Sequence, residues 1–240
     1  MKLTESEFGI HRLHRFEDRT SLDQALAGRL SARLSETVAG RGRASVALSG
    51  GSTPSGMFAA LRQQALPWPD IDVSLVDERW VPPSDPLSNE GMLREQLLVD
   101  AAAAAHFIGM YQPLDDIEAN ALAHDDRLAG IAQPFTVTIL GMGPDGHSAS
   151  WFPDADETGY ALDPGLDRST CVTRPRSQPT ARLTLTFSCV ARSEAIYLHI
   201  TGDEKLGVLA QYDAANPLPI HQVLSMLADQ GKIVDIFWSP

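Results

Sequence analysis

The chain has 240 residues, 43% of them hydrophobic and 21% charged, and 31 acidic against 19 basic side chains give a formal net charge of −12. That balance supplies no broad basic footprint for a nucleic-acid backbone, and no apolar run approaches the ~20 residues of a membrane-spanning helix. Two cysteines, Cys171 and Cys189, are too few for a disulfide framework or a CxxC metal knuckle; together with an N-terminal stretch lacking an apolar signal core, they lead to the expectation of a cytoplasmic protein in a reducing compartment.

Between residues 18 and 39, Leu22, Ala25, Leu26, Leu30, Leu34 and Val38 recur at three- and four-residue spacing and predict an amphipathic helix. The period then changes. Ser45, Val46, Ala47 and Leu48 read as a strand, the turn SGGSTP follows at 49–54, and Met57, Phe58 and Leu61 resume helical spacing. Thr53 is the expected N-cap of that helix and Pro54 its first residue. A second strand over 73–76 leads into DERW at 77–80, and Ser88 is expected to cap a helix reaching Leu98. A helix over 116–131 precedes a strand over 135–140, which feeds GMGPDGHSAS at 141–150. Residues 182–190 and 194–200 predict two further strands, 202–212 a helix capped by Asp203, and 233–238 a last strand.

Alternating β and α units predict an α/β fold: one domain over 1–240, with a mostly parallel, Rossmann-like sheet and helices on both faces. Ligands of such sheets bind beyond the carboxyl ends of the strands. SGGSTP, DERW, GMGPDGHSAS and TGDEK (201–205) each follow a predicted strand, so the unusual loops converge where a ligand would sit.

SGGSTP offers outward-facing amides, two hydroxyls and a helix N-terminus, the parts of a phosphate cradle; the plain alternative is an ordinary tight turn. It is not a Walker A loop, because the Gly-Lys-Ser/Thr ending is missing. Gly141, Gly143 and Gly146 spell G-x-G-x-x-G, yet Pro144 removes an amide, Asp145 would face a pyrophosphate, and no acidic residue follows at the expected strand end. These glycines are better read as shaping a loop that presents Asp145 and His147 to a small ligand. An isolated histidine is more often structural, and His11, His14, His106, His124, His199 and His221 are read so. His147 differs by its place at a strand's carboxyl end, with a carboxylate two residues earlier and a side chain suited to proton transfer near neutrality. Asp145 and His147 lack further ligands at metal-site spacing, so no metal and no cofactor is expected. A serine nucleophile is disfavoured because the G-x-S-x-G elbow is absent. In DERW, Asp77 and Glu78 alternate in direction, so one faces the ligand and the other the helix layer, while Arg79 is suited to bind an anion or stabilise developing negative charge. Taken singly, Arg79, Arg182 and Lys205 read as surface cations.

Taken together, ALSGGSTP (47–54), DERWVP (77–82) with Ser88 and Asn89, LGMGPDGHSASWFP (140–153), ARLTLTF (181–187) and TGDEK (201–205) resemble the 6-phosphogluconolactonase family, within the glucosamine-6-phosphate deaminase and isomerase superfamily. The stretches occur in the family's order and span most of the chain. Ser148 and Trp151 stand where the family commonly has threonine and leucine. The related deaminases carry a loop similar to GxDGHIAFNEP, whose glutamate five places beyond the histidine assists ring opening; here that place is Phe152.

The resemblance implies hydrolysis of 6-phospho-D-glucono-1,5-lactone in the oxidative pentose phosphate pathway. His147 is expected as general base and then proton donor, oriented by Asp145. Gly50, Gly51, Ser52 and Thr53 are expected to hold the phosphate with Arg182 and Lys205 as countercharges, beside Asp77, and Arg79 to bind substrate or stabilise the oxyanion. The expected partner is the small phosphosugar lactone alone, with no nucleic acid or membrane, and a monomer is the expected state. Two alternatives are a sugar-phosphate isomerase or deaminase, and a non-catalytic sugar-phosphate sensor. A sensor would carry a DNA-binding segment ahead of the sheet, and the residues before Ser45 show no helix-turn-helix pattern.

Overall fold

The computed structural model describes residues 8–240. In chain order the elements are β1 (Arg12–Arg15), α1 (Arg19–Arg41), β2 (Ala44–Leu48), α2 (Ser55–Leu61), β3 (Ile71–Leu75), β4 (Asp77–Arg79), α3 (Asn89–Gln96), β5 (His106–Ile108), α4 (Ile117–Leu128) and β6 (Val137–Leu140). There follow α5 (Thr158–Ala161), β7 (Thr170–Thr173), β8 (Arg182–Leu185), α6 (Phe187–Arg192), β9 (Ala195–Thr201), α7 (Asp203–Ala210), α8 (Pro219–Asp229) and β10 (Val234–Ser239).

Seven strands form one sheet in the order β1-β10-β9-β6-β2-β3-β5, with every pairing parallel. Every residue of β2, β3 and β6 is buried, as expected of parallel strands covered by helices on both faces. On α1, Leu22, Leu26, Leu30 and Leu34 recur every four residues and have no exposed surface. This helix packs on β2, β6 and β10 and against α2. Its ends are set locally: Asp18 Oδ1 accepts from Ser21 N at 2.8 Å, and Gly42, at φ 79°, sends its N–H back to the Val38 carbonyl at 2.7 Å, a left-handed closure that glycine adopts without Cβ strain.

A second, antiparallel sheet of order β4-β8-β7 departs from the sequence reading. A strand was predicted through 182–190, but β8 ends at Leu185 and the chain enters α6, where Thr186 Oγ1 accepts from Cys189 N at 3.2 Å. A short apolar run fits a buried strand or a buried helix equally well, and only the threonine cap marks the break. Two expected caps also shift by a residue. Pro54, not Thr53, occupies the cap position of α2, and Gly202, at φ 92°, precedes α7 in place of Asp203. The short strands β1, β5 and β7 carried too few residues to declare a period. Among the described residues no helix is long and apolar enough to cross a membrane, and Cys171 and Cys189 are buried free thiols.

Candidate active site

A cavity of about 220 Å³ opens where β2, β6 and β9 end, walled by Leu48, Leu140 and His199. Of the residues expected from sequence, Gly50, Gly51, Ser52, Thr53, Asp77, Arg79, His147 and Lys205 all line it.

The loop at 49–54 is shaped from three sides. Gly51 has φ 88°, a conformation open to glycine, and a Cβ on Gly50 would lie 2.0 Å from Asn89 Oδ1. Arg19, from the first turn of α1, donates to the Ser52 and Thr53 carbonyls at 2.5 and 2.8 Å. Ser49 Oγ donates to the Ile139 carbonyl at 2.9 Å and accepts from Gly141 N at 3.1 Å, which ties this loop to the one after β6.

In that second loop, His147 Nδ1 and Asp145 Oδ1 are 2.5 Å apart. Burial raises the Asp145 carboxyl pKa, but the bond and charge of His147 outweigh it and hold it below the usual range, so the carboxylate fixes Nδ1 and leaves Nε2 as the ring's free nitrogen. The Phe152 ring stacks on the imidazole, with centroids 4.0 Å apart at 20°. Gly143 permits the turn: a Cβ there would lie 2.2 Å from His147 Cε1 and 2.6 Å from Asp145 Oδ1. Asp145 itself stands behind the histidine and does not line the cavity.

The three-stranded sheet brings the acidic and guanidinium groups. Asp77 Oδ2 accepts from Ser150 Oγ at 2.6 Å, and the Asp77 carbonyl from Asn89 Nδ2 at 2.8 Å. Glu78 points away from the ligand, as its alternation with Asp77 predicts. Its carboxylate accepts from Arg79 N (2.7 Å), Asn89 N (2.8 Å), Glu90 N (2.7 Å) and Ser88 Oγ (2.9 Å). Burial pushes this carboxyl up to about 7 against the pull of those donors. The Arg79 guanidinium is tethered by the Leu87 carbonyl.

Arg182 is not brought to the cavity. It faces Arg79 across the β4–β8 ladder, is only 4% exposed, and donates to the Thr180 carbonyl and Gln178 Oε1, both at 3.0 Å. Lys205 does reach the wall, and burial, aided by the charge of Arg19, lowers its pKa. Two groups escaped sequence reasoning. His199, read as structural, lines the cavity, and Arg19 supports its loop; the clue for His199 was its place six residues ahead of Lys205 on the strand feeding TGDEK, whereas nothing in the sequence marked Arg19. Among the described residues no group of three or more His, Cys, Asp or Glu is placed to hold a metal ion.

Comparison with known proteins identifies the family. A family model described as glucosamine-6-phosphate isomerases/6-phosphogluconolactonase matches residues 17–234. The chain is 42% identical to a 6-phosphogluconolactonase of Mesorhizobium japonicum over 94% of each chain, and 40% identical to one of Rhizobium meliloti over 95% of this chain and 98% of that one. It is also similar to the crystal structure of a 6-phosphogluconolactonase from Shewanella baltica, with a TM-score of 0.90, 36% identity and full coverage of both chains. The ordered loops, the sheet that gathers them and the near end-to-end likeness lead to one conclusion: this chain belongs to the glucosamine-6-phosphate isomerase and 6-phosphogluconolactonase family.

Proposed function

We propose that this protein hydrolyses 6-phospho-D-glucono-1,5-lactone to 6-phospho-D-gluconate, the lactone-opening step of the oxidative pentose phosphate pathway. The names of its relatives support the reaction, and one observation carries the choice within the family. Phe152 stands where the resemblance places the ring-opening glutamate of the deaminases, and its ring lies flat on His147. A carboxylate needed to open an amino sugar is replaced by an apolar wall.

Water positioned at His147 Nε2 gives up a proton as its oxygen attacks the lactone carbonyl. The imidazolium is steadied by Asp145 through Nδ1. Collapse of the tetrahedral intermediate breaks the bond to the ring oxygen, which takes the proton back from His147. No covalent enzyme intermediate is needed. The amides and hydroxyls of residues 50–53, with Lys205 alongside, receive the phosphate, and Arg79 adds positive charge to the wall for the oxyanion or the substrate. Arg182 acts one layer back: its pKa is lowered by burial and by the neighbouring Arg79, and it shapes the strand carrying Arg79 without touching the ligand.

The test is lactone disappearance and acid release, using 6-phosphogluconolactone freshly generated from glucose 6-phosphate. Wild-type protein is expected to accelerate hydrolysis, and His147→Ala to lower kcat by roughly 10²–10⁴-fold. Wild-type protein that binds phosphorylated sugar acid without accelerating hydrolysis would transfer the reading to a deaminase or a sensor.

A further inference from the structure

The cavity wall contains a buried pair that the reaction above leaves idle. His199, from β9, is 3% exposed, and neither ring nitrogen has a hydrogen-bond partner. Asp23, from α1, is 5% exposed, and its Oδ1 also lacks a partner. His199 Nε2 and Asp23 Oδ1 lie 3.5 Å apart without forming a hydrogen bond. The carboxylate is packed in place: a Cβ on Gly56 would lie 1.9 Å from Asp23 Oδ2, and Arg19 Nε is 4.0 Å from the same oxygen. Buried polar groups are rarely left unsatisfied, so two orphaned nitrogens on one ring call for an explanation. His199 shares that cavity with residues 50–53 and Lys205.

We propose that His199 is a phosphate-binding residue, donating through Nδ1 to an oxygen of the phosphoryl group held by residues 50–53 and Lys205, and that Asp23 is its positioning residue, accepting from Nε2. This rests on the reading that the loop at 50–53 takes the phosphate of the substrate. The charged groups that bear on the ring are Arg19 and Asp23 from α1 and Lys205 from α7; the neighbouring strand β10 sets Phe237 beside it, and α2 contributes Met57 to the same wall. Without ligand, burial, then the charges of Arg19 and Lys205, hold the imidazole neutral, with a pKa lowered to about 3. A dianion entering beside the ring cancels the field of these cations and adds its own attraction for an imidazolium, which together with the Asp23 carboxylate offsets the cost of burial, and the ring takes a second proton from solvent. Both nitrogens then carry N–H, one for Asp23 and one for the ligand. Recognition of the phosphate is thereby linked to uptake of a proton.

Calorimetric titration with inorganic phosphate and with 6-phosphogluconate tests this apart from turnover. His199→Leu is expected to weaken both ligands by about 10- to 100-fold, the range for a hydrogen bond to a charged group. In the lactone assay KM should rise, with kcat within about threefold of wild type. His199→Gln keeps a donor and should recover part of the affinity. It should also flatten the fall in 6-phosphogluconate affinity between pH 7 and 8.5, where the ligand stays dianionic and wild type must still find its proton. Asp23→Asn should weaken binding less than His199→Leu. Should His199→Leu fail to fold, the pH slope of His199→Gln decides. Equal affinities and slopes in wild type and variants, a loss confined to kcat, or no phosphate binding by wild type would overturn the inference. Wild type that binds phosphate through His199 but turns over no lactone would instead remove the lactonase reading and leave this one standing.

Discussion

A methyl group at Gly143 has nowhere to go, because the ring it would strike is held by Asp145 on one edge and covered by Phe152 on one face. Gly143→Ala is expected to lower kcat by about 10- to 100-fold, the effect of a reactive group displaced by an ångström or so, and to lower the melting temperature as well, since the ring or the loop must shift to admit the methyl. A normal kcat in that variant would mean that the ring's position does not matter. Lys205→Ala should act on the other parameter, raising KM while kcat holds; a loss confined to kcat would deny Lys205 its part in binding. At this scale the sequence is informative where chemistry and backbone coincide. Asp145, His147 and the glycines around them lie within seven residues, and the loop they form brings them together. His199 and Asp23 were hidden because their meeting depends on α1 crossing β9, a relation that no spacing along the chain expresses. Asp23 did leave a trace, a carboxylate on the leucine-lined face of an otherwise regular helix.

Glu78 shows what an element can owe to one side chain. Its carboxylate gathers three backbone amides and the Ser88 hydroxyl, joining β4 to the first turn of α3, from which Asn89 reaches both Asp77 and the space beside Gly50. Glu78→Gln replaces one acceptor by an amide group facing donors, but burial already offsets much of what those donors give the carboxylate, so a loss of about 1 kcal/mol in unfolding free energy is expected, measured by denaturant titration; a change under about 0.5 kcal/mol would show that the latch is dispensable. The parallel sheet and the helices α1 and α4 were legible, from apolar runs for β2, β3, β6, β9 and β10 and from three- and four-residue spacing for the helices, whereas α8, eleven residues over Pro219–Asp229, was not read from the sequence. Nor was the three-stranded sheet. β4, β7 and β8 are three or four residues long, and their order is set by partners rather than by pattern. The run at 182–190 was misread because apolarity persists through a change from strand to helix, and Thr186 alone records the change.

Across the molecule, stability should fall with acid for a reason outside the active site. His124, wholly buried on α4 with Nδ1 2.7 Å from Thr170 Oγ1, has its pKa lowered to about 3 by burial and by the charge of Arg127. Unfolding releases it to its ordinary 6.5, so the unfolded chain binds the extra proton. This contribution is complete above pH 6.5 and is lost as pH falls toward 3. Between pH 7 and pH 5, wild type should lose about 2 kcal/mol more than His124→Gln, and parallel losses in the two proteins would assign the acid sensitivity elsewhere. The strand order has a consequence of another kind. β1 is made before β10 and, among the described residues, pairs with β10 alone, Arg12 standing opposite Asp235, and β10 is also the partner of β9 on its other side. During synthesis β1 must therefore wait, unpaired with β10, until that strand has left the ribosome. His147 is made earlier, with the loop after β6, whereas His199 and Lys205 at the far side of the cavity arrive only with β9 and α7. A nascent chain stalled before β9 would carry His147 and the loop at 50–53 but lack Lys205 and His199, the two side chains that close the opposite wall of the cavity.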